Sequence, residues 1–325
     1  MKKILAMLLA VMMLLSVASV AMAETTTIAT DAFKKVYNLT NPGTSSPEER
    51  FAFTLTCTGV TDAKEGITKN DAPTLTATID PMTAGNGNTE NISLSANKPF
   101  PSIGWYTYTI TETAGTTAGV TYDTTVRTLK VLVVNDGENS LKIESVGAVK
   151  NSNNMKDDIF TNVYSAGTLS IEKQVTGNLG DKDKYFTVTV TLTGENGKTY
   201  GASYAVTGGS YTDNPQTIEI GKETTFMLKH GDTISIANLP YGVTYSVVEN
   251  DYTGDKGGYD AATYTGDTGE NAKIDGATQN VTSTINKGGT IDTGVMLDSM
   301  PYVLVLAVVG AAVIALIAKK RRAED

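Results

Sequence analysis

Between the two ends of the chain, apolar residues alternate with threonine and other polar residues in short runs, and no long helical period is visible. Typical runs are FAFTLTCTG at 51–59, WYTYTITET at 105–113 and YFTVTVTLTG at 185–194. A period of two in segments rich in Val, Ile, Thr and Tyr predicts β-strands, and the Gly, Asn, Asp and Pro residues between them predict turns. The pattern therefore predicts an all-β protein of Ig-like β-sandwiches, with a barrel as the alternative.

One strand places a lysine in line with its core residues. In TLSIEKQVTG, Leu169, Ile171, Lys173 and Val175 fall on one face of the predicted strand. Burying an ammonium group is costly. Either the lysine stem covers apolar surface while its charge reaches water, or the lysine has a chemical role.

The two halves of the chain repeat one order of polar residues. Each half has a lysine on an early strand, a glutamate ending a Tyr-x-x-x-Glu strand and an asparagine in a late strand. These are Lys35, Glu112 and Asn162 in the first half, and Lys173, Glu249 and Asn286 in the second. Singly, each residue has an ordinary explanation: a snorkelling lysine, an ion pair, or a turn asparagine. Their recurrence as an ordered triple favours a shared function. The pattern predicts domains at 24–165 and 166–289.

The N-terminal segment has the pattern of an export signal. Lys2 and Lys3 precede an apolar run, and Ala-Met-Ala closes it at residue 23. This order predicts a cleaved signal peptide at residues 1–23, with a membrane-anchoring first helix as the alternative.

The C-terminal segment, residues 290–325, has the pattern of an anchor. Residues 301–318 are uncharged and the basic residues 319–322 follow, which predicts a transmembrane helix with a positive-inside stop. With the preceding Thr-Gly pair, this segment resembles the cell-wall sorting signal of Gram-positive surface proteins. The resemblance implies sortase cleavage between Thr293 and Gly294, and a permanent single-pass anchor is the alternative.

Composition narrows the function classes. The chain has 35 acidic and 26 basic residues, and six of the basic ones lie in the two terminal segments, which argues against nucleic acid as a partner. Cys57 is the only cysteine, so an intrachain disulfide is excluded. His230 is the only histidine, and no catalytic or metal-ligand pattern accompanies it. We expect no cofactor, no metal and no enzyme activity with turnover.

The repeated triple resembles the isopeptide-linked domains of Gram-positive pilins, and the whole chain resembles the streptococcal T-antigen type of major pilin. The resemblance implies a Lys-Asn amide in each domain, promoted by a buried glutamate. The implied bonds are Lys35–Asn162 with Glu112, and Lys173–Asn286 with Glu249. Burial lowers the pKa of a lysine and raises that of a glutamate, so the amine can be neutral while the acid donates to the asparagine carbonyl oxygen. Asn162 has the more typical apolar neighbours, so its bond is the safer prediction.

The same resemblance implies a pilus shaft subunit at the cell wall or pilus surface. Its partners would be other copies of itself, a pilus sortase, and accessory pilins, the cell wall or a host surface ligand. Sortase would join Thr293 to a surface lysine of the next subunit, for which Lys156 is the candidate and Lys150 the alternative. A monomeric wall-anchored adhesin, or an accessory pilin built from the same domains, is the competing interpretation.

Overall fold

The computed structural model describes residues 25–137, 140–149, 156–269 and 272–289. Nearly all the regular structure is β, which confirms the predicted all-β class. The first nine strands are β1 Thr26–Leu39, β2 Ala52–Thr61, β3 Leu75–Thr78, β4 Asn88–Ala96, β5 Gly104–Thr113, β6 Val120–Thr121, β7 Arg127–Asn135, β8 Leu141–Ala148 and β9 Ile159–Tyr164. The remaining strands are β10 Ala166–Thr176, β11 Phe186–Thr193, β12 Tyr204–Gly208, β13 Thr217–Ile218, β14 Glu223–Leu228, β15 Thr233–Pro240, β16 Thr244–Glu249, β17 Thr263–Gly266 and β18 Thr278–Asn286, and a short 3-10 helix spans Gly254–Lys256.

The first domain consists of two sheets around one core. One sheet has the order β3-β4-β1-β9-β6, and the other has the order β2-β5-β7-β8. Strand β5 shows how the sequence forms this core. Its sequence GWYTYTITET alternates buried and half-buried positions, so that Tyr106, Tyr108, Ile110 and Glu112 all point inward. Glu112 thereby extends the row of core side chains.

The second domain repeats this plan with different strand lengths. Its sheets have the orders β13-β12-β15-β10-β18-β17 and β14-β11-β16. In both domains the first strand pairs in parallel with the last long strand, β1 with β9 and β10 with β18. Because both pairs are parallel, a residue of the last long strand in one domain can be matched to its equivalent in the other domain from the residue that it faces.

The two domains meet in a tight junction. Strand β9 ends at Tyr164 and β10 begins at Ala166, beside the predicted boundary. The Ser165 N–H donates to the Gly119 carbonyl oxygen over 2.8 Å, and its own carbonyl accepts from the Tyr241 N–H over 3.0 Å. Gly119 has a φ of 77°, and a Cβ there would lie 2.6 Å from the Ser165 carbonyl oxygen, so the junction requires glycine.

The predicted terminal segments lie outside the described residues. Residues 1–23, the sorting segment from 290 onward and the expected helix at 301–318 all belong to this part of the chain. Within the ranges that the structure describes, no helix is both long and apolar enough to cross a membrane.

Candidate crosslinking sites

Three buried polar side chains meet in the core of the first domain. Lys35, Glu112 and Asn162 have exposed fractions of 0%, 1% and 0%. In the β1–β9 register Lys35 faces Phe160 and Tyr37 faces Asn162, so Lys35 and Asn162 lie two positions apart on one face. Glu112 approaches them from β5 in the opposite sheet. The structure therefore brings together all three residues predicted for this domain.

One carboxyl group holds both potential reactants. The Lys35 Nζ lies 2.6 Å from Glu112 Oε2, and the Asn162 Nδ2 donates to Glu112 Oε1 over 2.5 Å. Because the two oxygens belong to one rigid carboxyl group, the amine and the carboxamide are fixed side by side. Fixing two reactants in this way can replace a very large effective concentration.

Aromatic rings enclose the amine. The Phe51 ring centroid lies 4.5 Å from the Lys35 Nζ. Phe160 faces Lys35 across the β1–β9 pair, and its ring packs against those of Phe33 and Phe53 at centroid distances of 5.9 and 5.1 Å. These rings exclude water from the site, so the ionised forms of Lys35 and Glu112 are poorly solvated.

The surroundings shift both pKa values toward the neutral forms. Burial lowers the pKa of Lys35 to about 8, against the opposing effect of its hydrogen bond with Glu112. Burial also raises the pKa of Glu112, again opposed by the contact with Lys35. Transfer of one proton from the ammonium to the carboxylate would produce the neutral amine and protonated acid that amide exchange requires.

The carboxamide oxygen has a different partner from the one expected. The Asn162 Oδ1 accepts a hydrogen bond from the backbone N–H of Asp123 over 2.8 Å, whereas Glu112 contacts the amide nitrogen. This arrangement differs from the expected one, in which the glutamate donates to the carbonyl oxygen. The backbone N–H is placed to stabilise negative charge on the oxygen, and Glu112 is placed to protonate the departing nitrogen.

Asp123 and Arg127 were not found by sequence reasoning. The Asp123 carboxylate accepts from Arg127 Nη2 over 2.9 Å and from the Thr161 N–H over 3.0 Å. Although burial acts to raise the pKa of Asp123, these hydrogen bonds and that from Thr125 lower it to about 2. The Arg127 guanidinium lies 4.1 Å from the Phe160 ring centroid. The ionised pair therefore fixes the backbone segment whose N–H binds Asn162.

The second domain brings together two of its three predicted residues. The Lys173 Nζ lies 3.0 Å from Glu249 Oε2, and neither side chain has exposed surface. The Phe186 ring centroid lies 4.8 Å from the Lys173 Nζ. Burial lowers the pKa of Lys173, against the attraction of Glu249.

The predicted placement of Asn286 beside Lys173 is wrong. In the β10–β18 register Lys173 faces Ser283, and Asn286 faces Thr176, three positions further on. An odd separation turns a strand side chain to the opposite face. The Asn286 Nδ2 donates instead to Asp260 Oδ2 over 2.6 Å, at the protein surface.

The predicted intermolecular acceptor is accessible. The Lys156 side chain is 50% exposed, and its Nζ lies 2.9 Å from Asp158 Oδ2. Lys150, Thr293 and Gly294, the other residues of the predicted polymerisation reaction, lie outside the described residues.

Each domain matches a known domain family. Residues 31–165 match the family described as the Spy0128-like isopeptide containing domain. Residues 167–288 match a domain of unknown function, DUF7601. The first match contains the whole Lys35, Glu112 and Asn162 cluster.

Two proteins of Streptococcus pyogenes are similar in sequence. A protein described as a pilin of serotype M1 is 29% identical over 253 residues, which are 70% of this chain and 72% of the relative. The pilus tip adhesin Cpa is 33% identical over 81 residues, which are 25% of this chain and 11% of the adhesin.

Solved major pilins of the same species share the fold. The S. pyogenes major pilin superposes with a TM-score of 0.54 at 23% identity, covering 82% of this chain and 99% of the pilin. The T3.2 major pilin gives a TM-score of 0.53 at 23% identity, with 81% and 99% covered. These structures resemble the two-domain region rather than one domain alone.

Proposed function

We infer that this chain is a subunit of a pilus. Residues 31–165 match the Spy0128-like isopeptide-containing family, and the chain resembles streptococcal major pilins over most of its length. The finer proposal is a shaft subunit that crosslinks its own first domain and is then polymerised covalently by a sortase. It is exported and is displayed at the cell wall or pilus surface.

The Lys35, Glu112 and Asn162 cluster carries this proposal. A buried ion pair by itself is weak support for any function, because such pairs also occur as structural features. Here, however, the acid also binds a carboxamide, and that carboxamide also binds a backbone N–H. An amine, an acid and an amide are the groups that amide exchange requires, and the backbone N–H is placed to stabilise charge on the amide oxygen.

The proposed reaction exchanges one amide for another. The neutral Lys35 Nζ attacks the Asn162 Cγ, and the new C–N bond forms as charge develops on Oδ1. Glu112, protonated at this stage, delivers its proton to Nδ2 and then accepts one from the attacking nitrogen. The Cγ–Nδ2 bond then breaks and ammonia leaves, so no oxidant or cofactor is consumed. The bond forms once in each chain, without turnover.

The bond would stabilise the first domain considerably. It closes the chain between residues 35 and 162, and treating it like a disulfide across that loop gives about 5 kcal/mol from restriction of the unfolded chain. It would serve in place of a disulfide in an exported chain whose only cysteine is Cys57.

Intact mass of the purified chain from residue 24 to residue 289 tests the first-domain reaction. Loss of ammonia predicts a mass about 17 Da below that calculated from the sequence. Asn162→Ala should have the full mass expected for its own sequence, and Glu112→Ala likewise. A wild-type mass equal to the calculated value would overturn the proposed reaction.

Polymerisation would use the exposed Lys156 as the acceptor. Sortase would cleave after Thr293 and transfer the Thr293 carbonyl to the Lys156 Nζ of a neighbouring copy. On cells, the wild type should give a ladder of oligomers that resists SDS, and Lys156→Ala should abolish it. Lys142→Ala is a matched control, because that lysine is similarly exposed, at 48%, and also forms exposed ion pairs. A ladder that persists in Lys156→Ala contradicts this acceptor.

The local similarity to a pilus tip adhesin favours one alternative. In that alternative the chain is an accessory pilin or a wall-anchored adhesin that is attached singly. It predicts one cell-wall-linked species in the wild type instead of a ladder.

A further inference from the structure

The two domains have equivalent sites, strand for strand. In the first domain the glutamate faces Phe53 across the β2–β5 pair, and the ring over the lysine belongs to Phe51, two residues earlier. In the second domain the glutamate faces Val188 across the β11–β16 pair, and the ring over the lysine belongs to Phe186, again two residues earlier. The amine, the acid and the aromatic ring therefore occupy equivalent positions in the two domains.

The same comparison identifies the position of the missing amide. Lys35 faces Phe160, and the reacting asparagine is two residues further along β9. Lys173 faces Ser283, so the equivalent position on β18 is residue 285. That residue is Ile285, which is 1% exposed and packs with Val175, Phe186 and Tyr259.

The hydrogen bonds of the two glutamates support this assignment. In the first domain, Oε2 of the glutamate accepts from the lysine Nζ, and Oε1 accepts from the asparagine Nδ2. In the second domain, Oε2 of Glu249 pairs with the Lys173 Nζ and also accepts a hydrogen bond from the Ser283 hydroxyl. The Glu249 Oε1 is buried and has no hydrogen-bond partner within the described ranges. It is the oxygen that corresponds to the one binding the carboxamide in the first domain.

We propose that the second domain contains the amine and acid of a Lys-Asn crosslinking site whose amide position is occupied by Ile285, so that Lys173 stays a free amine and Ile285→Asn alone creates the crosslink. This inference rests on the reaction proposed for the first domain. In the variant, the Lys173 Nζ would attack the new Asn Cγ, the Cγ–Nδ2 bond would break, and ammonia would leave with a proton delivered through Glu249.

Chemical labelling of the denatured wild-type chain tests the free amine. After unfolding, an amine-acetylating reagent should modify Lys173 completely, while Lys35 should stay unmodified and its peptide should be found joined to that of Asn162. Peptide mapping reads both lysines independently. A Lys173 joined to any other residue overturns this inference, whereas a free Lys35 overturns the proposed first-domain reaction and leaves the assignment of Lys173 untouched.

Intact mass of Ile285→Asn tests completion of the site. The folded variant should show a deficit of about 34 Da, twice that of the wild type, from its own calculated mass. Adding Glu249→Ala should return the deficit to about 17 Da. Val281→Asn is the matched control, because Val281 is a similarly buried residue on the same face of β18 but lies two positions before the partner of Lys173. A deficit of about 17 Da in Ile285→Asn, or of about 34 Da in the control, would overturn the proposal.

Discussion

The two domains differ in the residue at the amide position of an otherwise equivalent lysine–glutamate arrangement. Both bury a lysine against a glutamate under a phenylalanine ring, at Nζ–Oε2 distances of 2.6 and 3.0 Å. In the first domain the next inward position of the last long strand is Asn162, and in the second it is Ile285. The comparison separates the two roles of the pair. With a carboxamide beside it the pair is arranged for covalent chemistry, and without one it is a buried ion pair.

If the chain is polymerised as proposed, the path of mechanical load through the fibre makes this difference matter for its extension. If force enters the chain at Lys156, it passes along β9 into β10, and it leaves after the end of β18. In the second domain, β10 and β18 are parallel neighbours and are pulled at opposite ends. A crosslink from Lys173 would carry that load, and in its absence hydrogen bonds must carry it. In the proposed fibre, the second domain would therefore be the extensible part of the subunit.

Pulling a single chain between residues 25 and 289 should give the largest difference between the domains. The second domain should unfold and add on the order of 400 Å of contour length, from roughly 120 residues at about 3.5 Å each. The chain between Lys35 and Asn162 should contribute none. In Ile285→Asn most of the second-domain extension should disappear, and retention of it would contradict the equivalence of the two sites.

Glu112→Ala should cause the largest loss of equilibrium stability. Without the acid the amide bond does not form, and the free energy of unfolding of the first domain should fall by about 5 kcal/mol. Chemical denaturation of the variant and the wild type measures the fall, and intact mass reports the bond. A variant that keeps the mass deficit would show that Glu112 is not required.

Glu249→Ala should destabilise its domain without any covalent change. Removing one partner of a buried ion pair costs about 3 kcal/mol, because the other partner is left unpaired or must lose its charge. The mass should change only by the substitution itself, since Lys173 is already a free amine. Denaturation and intact mass together separate this variant from Glu112→Ala, and an additional gain of about 17 Da would mean that a second-domain bond had been lost.

The arrangement of the first site was predictable because it follows strand parity. Lys35 has buried neighbours at Phe33 and Tyr37, and Asn162 has Phe160 and Tyr164, so alternation alone points all of them inward. For Asn286 the same test fails, since Ser283 and Ile285 are buried and their parity turns Asn286 outward. The sequence match of asparagine to asparagine was a weaker guide than the register.

The oxygen-binding group could not be predicted from residue types. The N–H that binds Asn162 belongs to the backbone of Asp123, and any residue other than proline could supply it there. What is specific is the ion pair that fixes this segment, between Asp123 and Arg127. That pair is local in sequence, but its position beside Asn162 depends on how the segment packs along β9.

The pH dependence of the free energy of unfolding should also distinguish the domains, by a smaller amount than the substitutions above. Burial lowers the pKa of Lys173 below its usual 10.5. Between the lowered pKa of the folded domain and the 10.5 of the unfolded chain, the unfolded chain binds more protons than the folded domain, so the free energy of unfolding rises with pH. As the pH is raised toward about 9.5, below the range in which exposed tyrosines ionise, resistance of the second domain to urea should increase.

The first domain supplies the control for that measurement. As an amide nitrogen, Lys35 does not titrate, so the wild-type first domain should lack this rise. In Asn162→Ala the amine is retained and burial still lowers its pKa, so the rise should appear. Equal slopes for the first domain of both proteins would indicate that Lys35 is free in the wild type.

Asn286→Ala should have the smallest effect. It tests whether the asparagine that the sequence predicted for the second domain takes part in any crosslink. Its side chain donates to Asp260 and accepts from the Thr176 hydroxyl over 3.1 Å, both at the protein surface. Losing these bonds should cost about 1 kcal/mol or less, since the Asp260 N–H still donates to the backbone carbonyl of residue 286. Intact mass should keep the wild-type deficit of about 17 Da. A deficit about 17 Da smaller in this variant than in the wild type, with the Lys35–Asn162 peptide still joined, would make Asn286 a reacting residue and would contradict the register argument.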